Sequence, residues 1–265
     1  MEVTGINLAL LDMPPQHTEA FNQWYDLDHL PEHVSKPDVV MARRYVATRQ
    51  VRDAPGRVTS EVMPAHAPYA TVYFFGGPMD FTGEEAAAGW RDKDRTIIKD
   101  GRFFRPGGLV YGGWWRLADA RARPSIPVSS AAVPYLPHTG MIVFVGRAAS
   151  VGGVDAALQW WERVQQPALH DVPGVLATLR FDPVSSDDQD LVLHVVLCSE
   201  AVETVMSDLD QVRGRQALTG RYPAHGGVYE LCACLPYQWI VPFQYDFDMD
   251  DDHEAPAPRP AAHAD

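Results

Sequence analysis

The chain contains two copies of one sequence pattern, and this repetition limits its fold more than any other feature. Residues 21–45 and 157–181 align without a gap at a constant offset of 136. Six aligned positions are identical, among them Trp24/Trp160, Pro31/Pro167 and Pro37/Pro173. A long internal repeat indicates one supersecondary unit used twice, so we expect both halves to form the same structure.

Each half predicts the order strand, helix, strand, strand, helix, strand. The first strand is indicated by apolar residues at every second position, Ile6, Leu8 and Leu10. A helix follows over about residues 18–30, and we expect Pro31 to end it, because proline clashes with the preceding helical turn. β-Branched and aromatic residues favour strands over 39–49 and 69–75, and a second helix is expected over 83–93.

This βαββαβ order is the ferredoxin-like arrangement, an antiparallel sheet with both helices on one face. We predict an α+β fold in which two such repeats, residues 1–117 and 139–243, pack their open faces together into one fused α/β barrel. Residues 118–138 are the expected linker. The acidic, Pro/Ala-rich residues 244–265 are expected to be a disordered tail, because they hold too little apolar surface to offset the entropy of ordering.

Composition narrows the classes of partner. A formal charge of −13 repels phosphate backbones and anionic lipid headgroups, so neither nucleic acid nor a membrane is an expected partner. No apolar run approaches the roughly 18 residues that a membrane span requires, and we expect a cytoplasmic protein. The cysteines lack the spacing of a disulfide framework. Cys232 and Cys234 are expected to be core thiols that share one face of a strand.

The residues suited to chemistry concentrate at the end of the first predicted helix, FNQWYDLDHLPEH. The sequence contains no GxSxG nucleophile turn, no GxxxxGK[ST] phosphate loop and no HExxH helix. Tyr25, Asp28 and His29 are three or four positions apart, so they lie on one side of a helix. Imidazole exchanges protons near neutral pH, and we predict that His29 is a general acid or base oriented by Asp28 or Asp26.

The second copy sharpens this hypothesis. It keeps the tryptophan and proline framework but has Val164 and Gln165 where the first copy has Asp28 and His29. A histidine at a helix C-terminus also interacts favourably with the helix dipole, which is the structural alternative. Because the second copy keeps the tryptophan and proline framework of this helix end without the aspartate and histidine, we favour a functional site in the first half.

The segment WYDLDHLPEH, followed by a proline turn and ARRY, resembles the first-helix motif of the EthD-like dimeric α/β-barrel proteins. Relatives in this superfamily include cofactor-independent monooxygenases, methylmuconolactone isomerases, polyketide-type cyclases and dehydratases, and haem-degrading or haem-peroxidase barrels. In the methylisomerases, a histidine ending the first helix and another preceding the third strand face the pocket. The resemblance assigns these places to His29 and His66. The pocket cysteine of those enzymes has no counterpart in the third strand, ATVYFFG.

Neighbouring polar residues receive lesser roles. Arg43 and Arg44 alternate across the second strand, so one is expected to pair with Asp26 or a substrate carboxylate and the other to meet solvent. His33 is expected outside the pocket because Pro31 turns the chain. Aromatic residues that face the barrel are expected to line an apolar cavity for a planar ligand.

Together these features predict a cofactor-independent enzyme that acts on a small, apolar, aromatic or polyketide-like metabolite by His-mediated proton transfer. A lyase or isomerase, working by elimination, isomerisation or decarboxylation, is the first choice. A cofactor-free or haem-assisted monooxygenase and a non-catalytic small-molecule binding protein are the alternatives. The predicted catalytic residues are His29, Asp28, Tyr25 and His66. The predicted substrate-binding residues are Trp24, Asp26, Arg44, Tyr69 and Tyr73. No metal and no cofactor are expected, and a homodimer of the fused barrel is one expected assembly.

Overall fold

Eight antiparallel strands close into one barrel in the computed structural model, which describes residues 2–63, 67–77, 92, 94–148, 153–184, 190–218, 227 and 229–249. The strands are β1 Val3–Asp12, β2 Val39–Val46, β3 Tyr69–Gly76, β4 Gly108–Ala122, β5 Gly140–Ala148, β6 Val175–Pro183, β7 Leu191–Cys198 and β8 Tyr229–Trp239. Their order around the barrel is β1-β3-β2-β8-β5-β7-β6-β4. Within each half, therefore, the fourth strand lies beside the first, and the third lies between the first and the second.

Two seams join the halves of the barrel. At one seam β4 pairs with β6 from Trp115↔Pro183 to Ala122↔Ala177. At the other, β2 pairs with β8 only through Tyr45↔Trp239 and Val46↔Gln238. The first residues of the predicted linker, 118–122, belong to β4, because pairing with β6 keeps them extended.

Apolar side chains from alternate strand positions pack the inside of the barrel. They include Ile6, Leu8, Leu10, Val143, Leu179 and Trp115, each 1% exposed or less. A void of about 10 Å³ between Phe74, Leu179 and Phe181 holds at most one water molecule. The expectation of a ligand cavity facing the barrel interior was therefore wrong, because large side chains fill that space.

Helices cover the outside of the barrel. They are α1 Thr18–Trp24, α2 Leu30–Val34, α3 Arg49–Arg52, α4 Gly153–Trp160, α5 Gln166–His170 and α6 Val202–Leu218. Residues 94–99 are also helical, whereas the predicted helix over 83–93 falls outside the described residues except for Asp92. In the part of the chain that the structure describes, no helix is long and apolar enough to cross a bilayer.

A π-helical turn joins α1 to α2, and it explains why Pro31 does not end the helix as predicted. The turn spans Tyr25–His29, and the amide of Leu30 bonds to the carbonyl five residues back, at Tyr25. Pro31 then occupies the first turn of α2, where its missing amide hydrogen costs little. The helix continues to Val34, and His33 returns to the same side as His29. Trp161–Gln165 forms the same turn in the second half.

Residues 244–249 pack against the first half, contrary to the predicted disordered tail. Tyr245, Phe247 and Met249 contact the cluster around Phe21, and Met249 is buried. The amide of Arg49 also donates a hydrogen bond to the carbonyl of Asp248. Apolar residues alternate with acids here, so one side of the segment can be buried while the other meets water. The rest of the predicted tail, 250–265, lies outside the described residues.

Candidate functional site

A cavity of about 330 Å³ lies outside the barrel, between the first helix and the outer face of β1 and β4. Aromatic and apolar side chains form most of its walls, namely Ala9, Leu11, Met13, Phe21, Trp24, Phe103, Phe104, Leu109 and Trp114. Three glycines in and before β4, Gly107, Gly108 and Gly112, also line the cavity, and a Cβ at Gly108 would meet nothing within 4 Å. A flat, apolar molecule bound in this cavity would therefore contact aromatic side chains.

His29 brings an imidazole to this apolar cavity. Its ring lies 4.7 Å from the Trp24 ring and 4.7 Å from the Tyr25 ring, centroid to centroid. Its Nδ1 is buried without a hydrogen-bond partner among the described residues. Burial lowers the pKa of His29 to about 3, and the charges of His33 and Arg44 act in the same direction while Asp94 opposes them. The imidazole is therefore neutral near pH 7.

His33 and Asp94 complete a polar cluster around His29. One ligand atom from each of the three residues lies within 4.8 Å of the other two. His33 is fully buried, and its Nε2 lies 3.3 Å from the carboxylate of Asp94, whose side chain is one-third exposed. The rings of His29 and His33 meet edge to face with centroids 4.4 Å apart. Two imidazoles and a carboxylate therefore converge beside an apolar cavity, and we call them the His29 cluster.

The predicted carboxylate partners of His29 bind arginines instead. Asp28 accepts a hydrogen bond from Arg102 at 2.9 Å, and Arg102 also bonds to Glu32 at 3.1 Å. Asp26 forms a buried ion pair with Arg44 at 2.7 Å and accepts a hydrogen bond from the hydroxyl of Tyr245. The carboxylate beside His29 belongs to Asp94. Sequence reasoning missed it because Asp94 is far along the chain and no motif marks it.

The two arginines of β2 both find partners. Arg44 is buried behind the cavity wall, where it also bonds to the side chain of Asn22 and lies 4.3 Å from the centre of the Tyr25 ring. Its predicted pairing with Asp26 is present. Arg43, which was expected to meet solvent, is partly buried, and its guanidinium lies 2.8 Å from Nδ1 of the buried His138.

Two of the three tyrosines near the first helix line the cavity, and the third lies behind its wall. Tyr25 and Tyr73 line the cavity, and their hydroxyls form a hydrogen bond of 3.0 Å. Burial raises the pKa of both phenols. Tyr69 is buried beside Phe21, outside the cavity wall, and donates to the hydroxyl of Thr18. Trp24 lines the cavity and donates from Nε1 to the Arg102 carbonyl. His66 lies outside the described residues.

The corresponding space in the second half is filled. Trp161 stacks on His194 with ring centroids 3.4 Å apart, and Trp160 stacks on Tyr229. A Cβ added at Gly146 would lie within 2.1 Å of the Tyr229 ring, so these side chains are in close contact with the sheet. Gln165 and Leu169 occupy the aligned positions of His29 and His33. The cavity and its imidazoles thus belong to the first half.

No family model matches the sequence, and no curated protein matches it. Solved structures do share its fold. A putative chlorite dismutase superposes with a TM-score of 0.53 at 8% identity, covering 91% of this chain and 96% of the other. An anthrone oxidase-like protein has a TM-score of 0.48 at 14% identity, with 95% and 97% covered. A putative monooxygenase from Fusobacterium nucleatum has 0.47 at 8%, with 90% and 95% covered. The superposition on the first of these proteins shows that the chain has its fold, the dimeric α/β barrel, and at 8% identity the similarity concerns the fold alone.

Proposed function

We propose that the protein is an enzyme that binds a small, flat, largely apolar molecule in the cavity and oxidises it with dioxygen. The observation that carries this proposal is the His29 cluster at the wall of an otherwise aromatic cavity. Pockets of this kind, apolar with a few convergent polar groups, are typical of small-molecule sites.

Oxidation suits the cavity better than the elimination or isomerisation predicted from the sequence. Those reactions need a second acid–base group opposite the first, to protonate the leaving group or the new carbon position. Apart from the His29 cluster and two tyrosines, the described lining adds no further acid or base; its other polar side chain is the amide of Asn7. The remaining phenols, Tyr25 and Tyr73, bond to each other and resist ionisation.

The proposed reaction needs only one proton acceptor. A substrate with an acidic CH2 between aromatic rings loses a proton to the His29 cluster, and the carbanion forms a C–O bond with dioxygen. The peroxide anion takes this proton back from the cluster. The resulting hydroperoxide loses its remaining C–H proton while the O–O bond breaks and hydroxide leaves, and the two combine as water, so that CH2 + O2 becomes C=O + H2O. The substrate supplies all the electrons, and no external reductant is required. The aromatic walls hold the ring system, and Arg44 and Asp26 position Tyr25 from behind.

Proton transfer without oxygen is a second candidate, and the carboxylate of Asp94 beside His29 favours it because it opposes the lowering of the His29 pKa. A neutral imidazole can accept a proton from carbon, and elimination, isomerisation or decarboxylation would then follow without dioxygen. A purely binding role predicts a ligand that is never converted. Comparing product formation in air and under nitrogen distinguishes both alternatives from oxidation.

The described residues do not fit a haem. An axial histidine must stand clear above a flat slot, whereas the ring of His29 packs against Trp24 and Tyr25. In the second half, Trp161 and Tyr229 fill the space between helix and sheet. No step of the proposed reaction therefore uses haem, and we expect the purified protein to show no Soret absorption.

A screen under air and under nitrogen tests the proposed function. The purified protein is incubated with a library of anthrones, hydroxylated polycyclic aromatics and polyketide-like phenols, and products are detected by mass spectrometry. We expect a product that gains one oxygen, loses two hydrogens and forms only in air. The Gly108→Leu variant, which adds a large side chain at the cavity wall, should lower this activity. Conversion under nitrogen would favour proton transfer alone, and binding without conversion would reject an enzyme.

We also propose that the two halves are copies of one EthD-like unit, of which the first kept its site. The same strand order in each half and the π-helical turns before Pro31 and Pro167 support this proposal. The homodimer predicted from the sequence remains a proposal as well. Its test is the mass of the protein in solution by light scattering.

A further inference from the structure

We propose that His29, His33 and Asp94 form a binding site for one divalent first-row transition metal ion, with iron(II) as the ion best suited to it. Non-haem iron(II) oxygenases bind their ion with two imidazoles and one carboxylate on one side and leave the coordination positions on the other side open. The open side here is the cavity. The inference rests on the proposed function only for the role of the metal, not for its binding.

The geometry of the cluster suits such an ion. Bonds of about 2.0–2.2 Å from a metal to nitrogen and oxygen place neighbouring ligand atoms about 3 Å apart. Nε2 of His33 and the Asp94 carboxylate are already 3.3 Å apart. All three ligand atoms lie within 4.8 Å of one another, so a small rotation of the His29 ring completes the set.

The chemical state of the cluster favours a cation. His29 has a buried nitrogen, Nδ1, without a hydrogen-bond partner among the described residues. Asp94 adds one negative charge at the cavity wall. The nearby cation Arg44 is paired with Asp26, which reduces its repulsion of a metal.

The local fold places both histidines for this purpose. His29 and His33 are four residues apart, and the π-helical turn followed by α2 brings their rings to 4.4 Å. The second half has the same backbone but carries Gln165 and Leu169 at the aligned positions. The π-helical turn and the helix after it therefore form without the two histidines.

A bound metal changes the proton transfer in the proposed reaction. The imidazoles become ligands, and a hydroxyl or enol oxygen of the substrate binds an open position on the ion. Its O–H bond breaks, the electron pair stays on oxygen, and the proton leaves to solvent. The ionised substrate then supplies its electrons to dioxygen as in the balance given above. The inference therefore names ionisable hydroxyl or enol compounds as the substrate class.

Metal binding is tested without any substrate. The full chain is stripped with a chelator and titrated with Co²⁺ and Zn²⁺ by calorimetry, and anaerobically with Fe²⁺. We expect one equivalent to bind, with Co²⁺ showing visible absorption typical of nitrogen and oxygen ligands. His29→Gln, His33→Leu and Asp94→Asn should each weaken binding at least 100-fold. The first two variants carry the residues of the second half, so they are expected to fold, which circular dichroism verifies.

His170→Gln is the matched control, because it removes a half-buried histidine from the second half and should leave metal affinity unchanged. Failure of the wild type to bind any of the ions, or equal affinity in the three ligand variants, would overturn the metal site. Full oxygen-dependent turnover by the stripped protein would overturn the role of the metal and leave the proposed function standing. Tight metal binding without any oxygen-dependent product would overturn the proposed function and leave the metal site standing.

Discussion

Arg44 and Asp26 form an ion pair in which both side chains are almost fully buried, at 4% and 6% exposure. Asn22 and the ring of Tyr25 surround the guanidinium, and Tyr245 bonds to the carboxylate. Such a pair is held by its complete set of partners. Removing one member leaves a charge in a place that water does not reach.

Replacing Arg44 by Met should therefore lower the free energy of unfolding by about 3–5 kcal/mol, because Asp26 loses its counter-charge while staying buried. Urea denaturation followed by circular dichroism measures the change. Arg95→Met is the matched control. Its pair with Asp92 is largely exposed, and we expect a loss below about 1 kcal/mol. Equal losses in the two variants would contradict the account of the buried pair.

His138 makes stability depend on pH. Burial lowers its pKa to about 4, the Arg43 guanidinium acts in the same direction and the Leu136 carbonyl opposes them. The hydroxyl of Tyr45 contacts its Nε2. Between about pH 6.5 and pH 4 the unfolded chain binds a proton at this residue and the folded protein does not, so stability falls as the pH falls.

The free energy of unfolding should consequently decrease on acidification through this range, by about 3 kcal/mol from His138 alone. Other buried histidines add to the total, so the informative quantity is the difference between the wild type and His138→Gln. The variant should show a flatter dependence on pH. Two parallel curves would show that His138 is protonated equally in both states.

At the scale of elements, the π-helical turn marks where sequence reasoning succeeded and where it failed. Apolar periodicity and the repeated tryptophan and proline framework were enough to place the first helix and the strands. They could not reveal that a π-helical turn before Pro31 lets the helix continue past this proline. The turn changes the hydrogen bonding of the backbone without a mark in the composition. His33 was therefore assigned to the wrong side of the chain.

A second local irregularity has the same origin. Cys232 and Cys234 were predicted to share one face of β8, as residues two apart do in a regular strand. The register between β5 and β8 shifts near Gly146, and Cys232 faces the barrel interior while Cys234 faces α6. Bulges of this kind depend on the partner strand, which local sequence does not specify.

Glycines in the two halves should tolerate alanine differently. At Gly146 a Cβ would lie within 2.1 Å of the Tyr229 ring, which is held by its stack on Trp160. We expect Gly146→Ala to lower the free energy of unfolding by about 1–3 kcal/mol. Gly108→Ala, where nothing lies within 4 Å, should change it by less than about 0.5 kcal/mol. Thermal denaturation of both variants checks this contrast, and equal stability would refute a filled second half.

At the scale of the whole molecule, the repeat predicted the α+β class and the paired halves, and the structure has the dimeric α/β-barrel fold. The cavity was harder to foresee. Its helix side, with His29, Trp24 and Tyr25, was predicted from one motif. Its other members, including Asp94 and the β4 glycines, come together only when the barrel closes. Sequence distance hides such contacts, whereas a motif within one helix is visible directly.

The measurement that bears most directly on the central claim is substrate-dependent oxygen uptake, recorded with an oxygen electrode on the best compound from the screen. We predict that His29→Gln lowers the turnover rate by about 10²-fold or more, since a positioned proton acceptor or ligand contributes at least that much. His170→Gln in the second half should retain the wild-type rate. Equal oxygen uptake by the wild type and His29→Gln would contradict an oxidative site in the first half.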